Sequence, residues 1–195
     1  MRKDISRLLA TLFTAALIYS SSACRPEAGP QKENGASTTQ GSSSAKETTP
    51  QNSGRYWTPT EVQPKLPTIK VWVGSEELET EIASTFKQRQ TGMMFRESMG
   101  EMEAMLFVFE FPQQLGFYMK NTSVALSCAY IGPNGKILEI HDLMPFVEDP
   151  VMSTSQEVQF VLEVRQGWFA DHGIQKGMSV ATEKGGLLET FIRSR

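Results

Sequence analysis

Ala104-Met-Leu-Phe-Val-Phe109 is an unbroken run of six apolar residues. That length suits a strand buried on both faces, in the middle of a sheet. On its N-terminal side, Thr68-Ile-Lys-Val-Trp-Val73 alternates polar and apolar residues with β-branched side chains, and reads as a half-buried strand. Gly74-Ser75 then turns the chain, and residues 79–85 alternate again as its hairpin partner. Helical spacing first shows between Phe86 and Phe95. On the C-terminal side, residues 116–120 read as a short extended piece, and residues 124–131 and 136–143 as a hairpin joined by Gly132-Pro-Asn-Gly135. Asn-Gly supplies the positive φ angles that hairpin turns need. Residues 157–164 form a further strand, and residues 166–172 one or two helical turns closed by Gly173. Residues 178–182 and 187–193 read as closing strands around Gly185-Gly186. The expectation is one mostly β domain of seven or eight short strands with one or two short helices, shaped as a barrel or sandwich.

The chain has 195 residues and a net charge of −3. From Tyr56 onward there are 12 Lys and Arg against 18 Asp and Glu, a net −6. Nucleic-acid binders carry the opposite sign in clusters, so that class is disfavoured. Two cysteines, Cys24 and Cys128, and two histidines, His141 and His172, leave little for a disulfide framework or a metal centre. No cofactor and no metal site are expected.

The first residues read as an address. Arg2, Lys3 and Arg7 precede Leu8–Tyr19, an uncharged, mostly apolar run of 12 residues. A bilayer span needs about 20 such residues, so a signal peptide over residues 1–23 fits better. Ser21-Ser22-Ala23 offers small residues ahead of Cys24. Lipidation of Cys24 is the favoured reading, although Ser21 stands where a lipoprotein signal usually has Leu. Simple secretion is the alternative. Several acyl chains on one Cys anchor stably where one chain is marginal. Arg25, rather than Asp, after Cys24 favours the outer membrane in a Gram-negative host. Residues 25–55 contain no Val, Ile, Leu, Met or aromatic residue. They cannot bury enough apolar surface to offset their chain entropy and read as a disordered tether with a reach of roughly 30 Å. The organisation expected is therefore signal peptide, lipidated Cys with tether over 24–55, and a globular domain over 56–195.

Five blocks of the domain carry a resemblance. They are Gly92-Met-Met-Phe-Arg96, Met105-Leu-Phe-Val-Phe109, Phe117-Tyr-Met-Lys-Asn-Thr122, Val161-Leu-Glu163, and the glycines from Gly167 to Gly177. In order and spacing they resemble the prokaryotic family known as domain of unknown function 192, over about residues 82–180. Ala104, Tyr118, Ser127 and Ser179 depart from its usual Gly, Trp, Asp and Asp. The resemblance implies a compact, mainly β domain that is commonly exported or lipid-anchored. It implies no established activity.

Each candidate site residue has a plain structural reading beside the functional one. Tyr118, Lys120, Asn121 and Thr122 offer an aromatic face, a cation and amide and hydroxyl groups, which suit a glycan or another polar neutral ligand. Tyr118 could instead fill the core while Asn121-Thr122 makes a turn. Arg96 could recognise a ligand carboxylate or make a buried pair with Glu101, Glu103 or Glu163. The methionines around Met93–Met119 could offer soft thioethers to Cu(I), but gap-filling in the core is the favoured reading. His141 and Asp142 alternate along a strand and point to opposite faces, against a triad with Ser127 or Cys128. Trp168 and Phe169 should pack on the sheet.

The function expected is an envelope lipoprotein with a non-catalytic binding or accessory domain for a glycan, a peptidoglycan fragment or an envelope protein. A carboxylate-dependent hydrolase using Glu101, Glu103 or Glu163, and a scaffold with an apolar patch at Trp168, are the alternatives.

Overall fold

The computed structural model describes residues 58–193. The signal region, Cys24, the tether and the expected boundary at Tyr56-Trp57 lie outside the described residues. Among the described residues no helix is long and apolar enough to cross a membrane.

The chain runs β1 (Thr68–Val73), β2 (Glu76–Ala83), α1 (Phe86–Thr91), β3 (Glu103–Gln113), β4 (Gly116–Phe117), β5 (Leu126–Ile131) and β6 (Ile137–Leu143). β7 (Val151–Met152), β8 (Val158–Arg165), α2 (Trp168–Asp171), β9 (Val180–Thr182) and β10 (Gly185–Gly186) follow. The fold is mostly β, with ten strands rather than seven or eight. Eight make one sheet in the order β10-β9-β1-β2-β3-β8-β5-β6, and β4 pairs with β7 apart from it.

The apolar run lies in β3, at the centre of that sheet. β3 runs parallel to β2 and antiparallel to β8. A parallel neighbour needs a crossover, and α1 with the segment after it provides one. Met105 and Phe107 point to one face and Ala104, Leu106 and Val108 to the other. The alternation splits the core into two layers. The inner layer gathers Val71, Leu78, Leu106, Leu162 and Trp168, with contributions from β9 and α2. The outer layer gathers Met93, Met105, Met119, Cys128 and Tyr130 beneath the segments that cover the sheet.

The sheet is not a closed barrel. It curls around the inner layer until its two ends touch at one point, where Lys136 bridges Ser179. Ile137 N–H donates to the Met178 carbonyl at 2.9 Å, and Gly177 N–H donates to the Ile137 carbonyl at 2.8 Å. β10 has only two residues, too few to zip the seam further.

Three local expectations change. α1 ends at Thr91, not Phe95. A capping box starts it, with the Thr85 hydroxyl accepting from Gln88 N–H and the Gln88 side chain accepting from Thr85 N–H. Gly92 stops it at φ +47°, and a Cβ there would meet the Phe107 ring at 3.2 Å. The hairpin turn at Gly132–Gly135 uses one positive φ, Gly135 at +74°, and places a bulge beside Tyr130 and Ile131. Residues 189–193 form a π-helical turn rather than a strand. Leu187 and Phe191 recur at helical spacing and pack on the inner layer.

Candidate functional site

The outer face of the sheet carries a row of side chains set by the register. Glu81 on β2 lies beside Met105 on β3, which lies beside Glu163 on β8, then Cys128 on β5 and His141 on β6. The row is polar at both ends, and Glu163 is an acid at its middle.

The row's β2 end pins the cover. Arg96 makes a bidentate pair with Glu81, Nη1 to Oε1 at 2.5 Å and Nη2 to Oε2 at 2.8 Å. Leu66 N–H also donates to Glu81 Oε2, at 2.7 Å. Burial works to raise the Glu81 carboxyl, but the guanidinium and the Leu66 N–H hold it below the usual carboxylate range. The partner of Arg96 is therefore Glu81, not Glu101, Glu103 or Glu163. Glu101 pairs with Arg165, and Glu103 accepts from Gly100 N–H. At the β6 end, burial again opposes ionisation of Glu139. The N–H groups of Thr154 and Ser155, with His141, nonetheless hold it down to about 2. Asp142 points to the other face and accepts from the Ser127 hydroxyl at 2.5 Å. His141 and Asp142 do not meet, and no triad forms. Ser127 also receives Gly167 N–H at 3.0 Å, so it ties β5 to the start of α2.

Between these ends lies a cavity of about 350 Å³. Phe107 and Phe109 of β3, Leu126 and Glu163 form its floor. Phe86 and Arg89 of α1 form one wall, followed by Gly92, Met93 and Met94. Phe117, Tyr118 and Met119 form another, with Thr122 behind them. Phe107 and Phe117 meet edge to face, with centroids 4.8 Å apart. Arg89 lies over the Phe109 ring at 5.0 Å and donates to the carbonyls of Ser84 and Val108, the latter at 3.0 Å.

Glu163 is 4% exposed, and its Oε2 has no hydrogen-bond partner. Burial alone pushes its carboxyl up to about 8. At neutral pH it is mostly a neutral acid on an apolar floor. Its neighbour Cys128 is buried, and burial pushes that thiol up as well, so it is not a poised nucleophile.

The cover is laced by backbone bonds. Phe95 N–H donates to the Asn121 carbonyl at 2.8 Å, Phe146 N–H to the Thr122 carbonyl at 3.2 Å, and Met119 N–H to the Val147 carbonyl at 2.7 Å. Phe95, Asn121 and Phe146 all adopt positive φ, at 64°, 53° and 61°. Asn tolerates that conformation, whereas a bulky Phe is strained by it. All three lie in the bonded segments next to the cavity walls, and none of them lines the cavity itself.

The expected site residues divide. Tyr118, 40% exposed, and the buried Thr122 line the cavity. Tyr118 does not fill the core. Asn121 forms the turn, with Thr122 N–H bonded to the Met119 carbonyl at 3.1 Å. Lys120 faces solvent and pairs with Glu148 at 3.4 Å. Arg96 pairs with Glu81 and is not among the residues that line this cavity. Met93 and Met119 are cavity walls, while Met105 is core. Trp168 is fully buried and Phe169 nearly so, so no exposed patch forms at Trp168. Glu101, Glu103 and Glu163 do not share a cavity. Sequence reading passed over Arg89, Phe107 and Phe117 as site residues. The available signal was Glu163 itself, an acid inside the strand Val158-Gln-Phe-Val-Leu-Glu-Val164.

Residues 69–182 match the family model of domain of unknown function 192, described as uncharacterised ACR, and the chain belongs to that family. Two solved structures share the fold. One, a protein of unknown function from Novosphingobium aromaticivorans, is 29% identical with a TM-score of 0.57, over 59% of this chain and 85% of its own. The other, described as a candidate transcription regulator from Sinorhizobium meliloti, is 28% identical with a TM-score of 0.58, over 62% of this chain and 98% of its own. The match spans nearly the whole of that solved chain. No curated protein matches this chain.

Proposed function

We propose that this protein is an envelope lipoprotein, anchored through Cys24, whose β domain is a non-catalytic binding module. The cavity carries the reading: about 350 Å³ of largely apolar space over an acid that the fold leaves without a partner. Such volumes fall at the small end of ligand pockets, which run from about 300 Å³ upward. A glycosidase needs two carboxyls facing one cleft at about 5–10 Å, and Glu163 is the only Asp or Glu among the described lining residues. Binding is therefore favoured over hydrolysis. The regulator description of the Sinorhizobium relative is not adopted, because this domain carries net −6.

The test is a thermal-shift panel on the globular domain, residues 56–195, with peptidoglycan fragments, glycans, peptides and small apolar ligands. A true ligand at a hundredfold excess over its Kd stabilises by about 2.7 kcal/mol. A hit lost on Met119→Trp, which fills the cavity, supports the reading, and a flat panel refutes it. Incorporation of labelled palmitate by the full chain, abolished by Cys24→Ser, tests the anchor separately.

A further inference from the structure

We propose that the cavity takes a small organic ammonium cation with an apolar body, its nitrogen against the Glu163 carboxyl. This deepens the binding reading and rests on it.

Buried acceptors nearly always find a donor, yet Glu163 Oε2 has none. The charged and titratable groups packed nearest do not fill the gap. Cys128 on β5 is a buried thiol. Glu81, beyond Met105, is held by Arg96. Arg89 on α1 is engaged with two carbonyls and the Phe109 ring. Tyr130 donates to the Val151 carbonyl, and Tyr118 stands on the wall. In its ionised form Glu163 lacks a donor, and a charged donor would best offset a buried carboxylate.

The lining points to the same class. Phe107, Phe109, Phe117 and Tyr118 surround the space. Aromatic faces attract cations, and a carboxylate among them makes a site for an ammonium group. Arg89 over Phe109 shows one such face already used by a cation at the rim. A neutral acceptor could take a hydrogen bond from protonated Glu163, but it would leave the ring faces only dispersion. An anion would be repelled once Glu163 ionises. Met93, Met94 and Met119 adapt to an apolar body of varied shape.

The proton balance is simple. Glu163 holds a proton at neutral pH and the ligand enters as R–NH3+. The pair forms as carboxylate and ammonium, one proton passes to solvent, and no covalent bond to carbon changes.

The experiment is titration calorimetry of the globular domain, residues 56–195, with benzylammonium, benzyl alcohol and benzoate, in two buffers of different ionisation enthalpy. Benzylammonium is expected to bind at least tenfold tighter than benzyl alcohol, with about one proton released and benzoate silent. Glu163→Gln should weaken benzylammonium at least tenfold and benzyl alcohol less than threefold. The 13C carboxyl signal of Glu163 needs no variant and should move to its ionised position on saturation at pH 6.5. Equal or tighter binding of the alcohol, or an unmoved carboxyl signal, overturns the ammonium class and leaves the binding reading intact. Silence from all three ligands overturns it too, and the wider panel then judges the binding reading separately.

Discussion

The inner face of the large sheet buries Val, Leu, Ile, Phe and Trp around Leu162 and Trp168, whereas the outer face buries Met93, Met105, Met119, Cys128, Tyr130 and Glu163. Both faces are made by the same strands, with alternate residues pointing to each. The inner face uses stiff, branched side chains that fill space in few rotamers. The outer face adds three thioethers to its Leu, Val and Phe side chains, their flexibility fits irregular gaps, and it encloses a cavity. Its cover is held by the Arg96–Glu81 pair and laced backbone bonds as well as by apolar contact. One face is built to hold the fold. The other keeps room beside an acid.

That contrast can be broken where the outer face is most polar. Arg96→Ala strands the buried Glu81 carboxylate and is expected to cost about 3–5 kcal/mol in urea unfolding. A loss below about 1 kcal/mol would mean the pair does not hold the cover. Leu162→Ala on the inner face should cost about 2–5 kcal/mol. Met119→Ala, beside space that already exists, should cost roughly half as much. Equal losses would erase the difference between the faces.

Stability against pH sharpens the comparison. Glu163 keeps its proton in the fold until about pH 8, while the unfolded chain loses it near 4.5. Its contribution is complete below 4.5 and is lost as pH rises towards 8, by at most about 1.4 kcal/mol per pH unit. Glu139 and Glu81 behave oppositely. They are held ionised, so their contribution is present above 4.5 and is lost as pH falls, for Glu139 towards about 2. Melting followed from pH 2 to 9 should show Glu163→Gln removing the alkaline decline and leaving the acid limb. Wild-type stability that is flat between pH 5 and 8 would contradict the burial of Glu163. The smallest effect belongs to Lys120→Ala, which breaks only an exposed pair with Glu148 and should cost under about 0.5 kcal/mol.

Much of the fold is legible in residue order. β1 falls on Thr68–Val73 because alternation there is unambiguous, and the β5–β6 hairpin follows from two apolar stretches around Asn134-Gly135. Ala104–Val108 declares a two-faced strand, and two core layers on either side of it are the result. The curl of the sheet was less accessible. It depends on where Ile137 meets Gly177 and Met178, a contact that local pattern does not encode. Residues 187–193 mislead because a short apolar segment suits either period. The site was legible only in fragments. Phe117–Thr122 drew notice for its polar groups, yet the cavity uses Phe117, Tyr118, Met119 and Thr122 and leaves Lys120 outside. Arg96 could not be matched to Glu81 without knowing that β2 lies parallel beside β3 and that the cover folds back over both.

The near-meeting of the sheet's two ends has a consequence for life at high local density. Open strand edges recruit strands from other copies, and proteins suppress this by shortening or covering them. Here one terminal strand offers just Gly185 and Gly186. The other, β6, is met at its start by residues 177–180, and its Glu139 holds the backbone N–H groups of Thr154 and Ser155. The two-residue β10 and the paired start of β6 shorten the edge that each end of the sheet offers, so many copies crowded side by side should join less readily through their sheets.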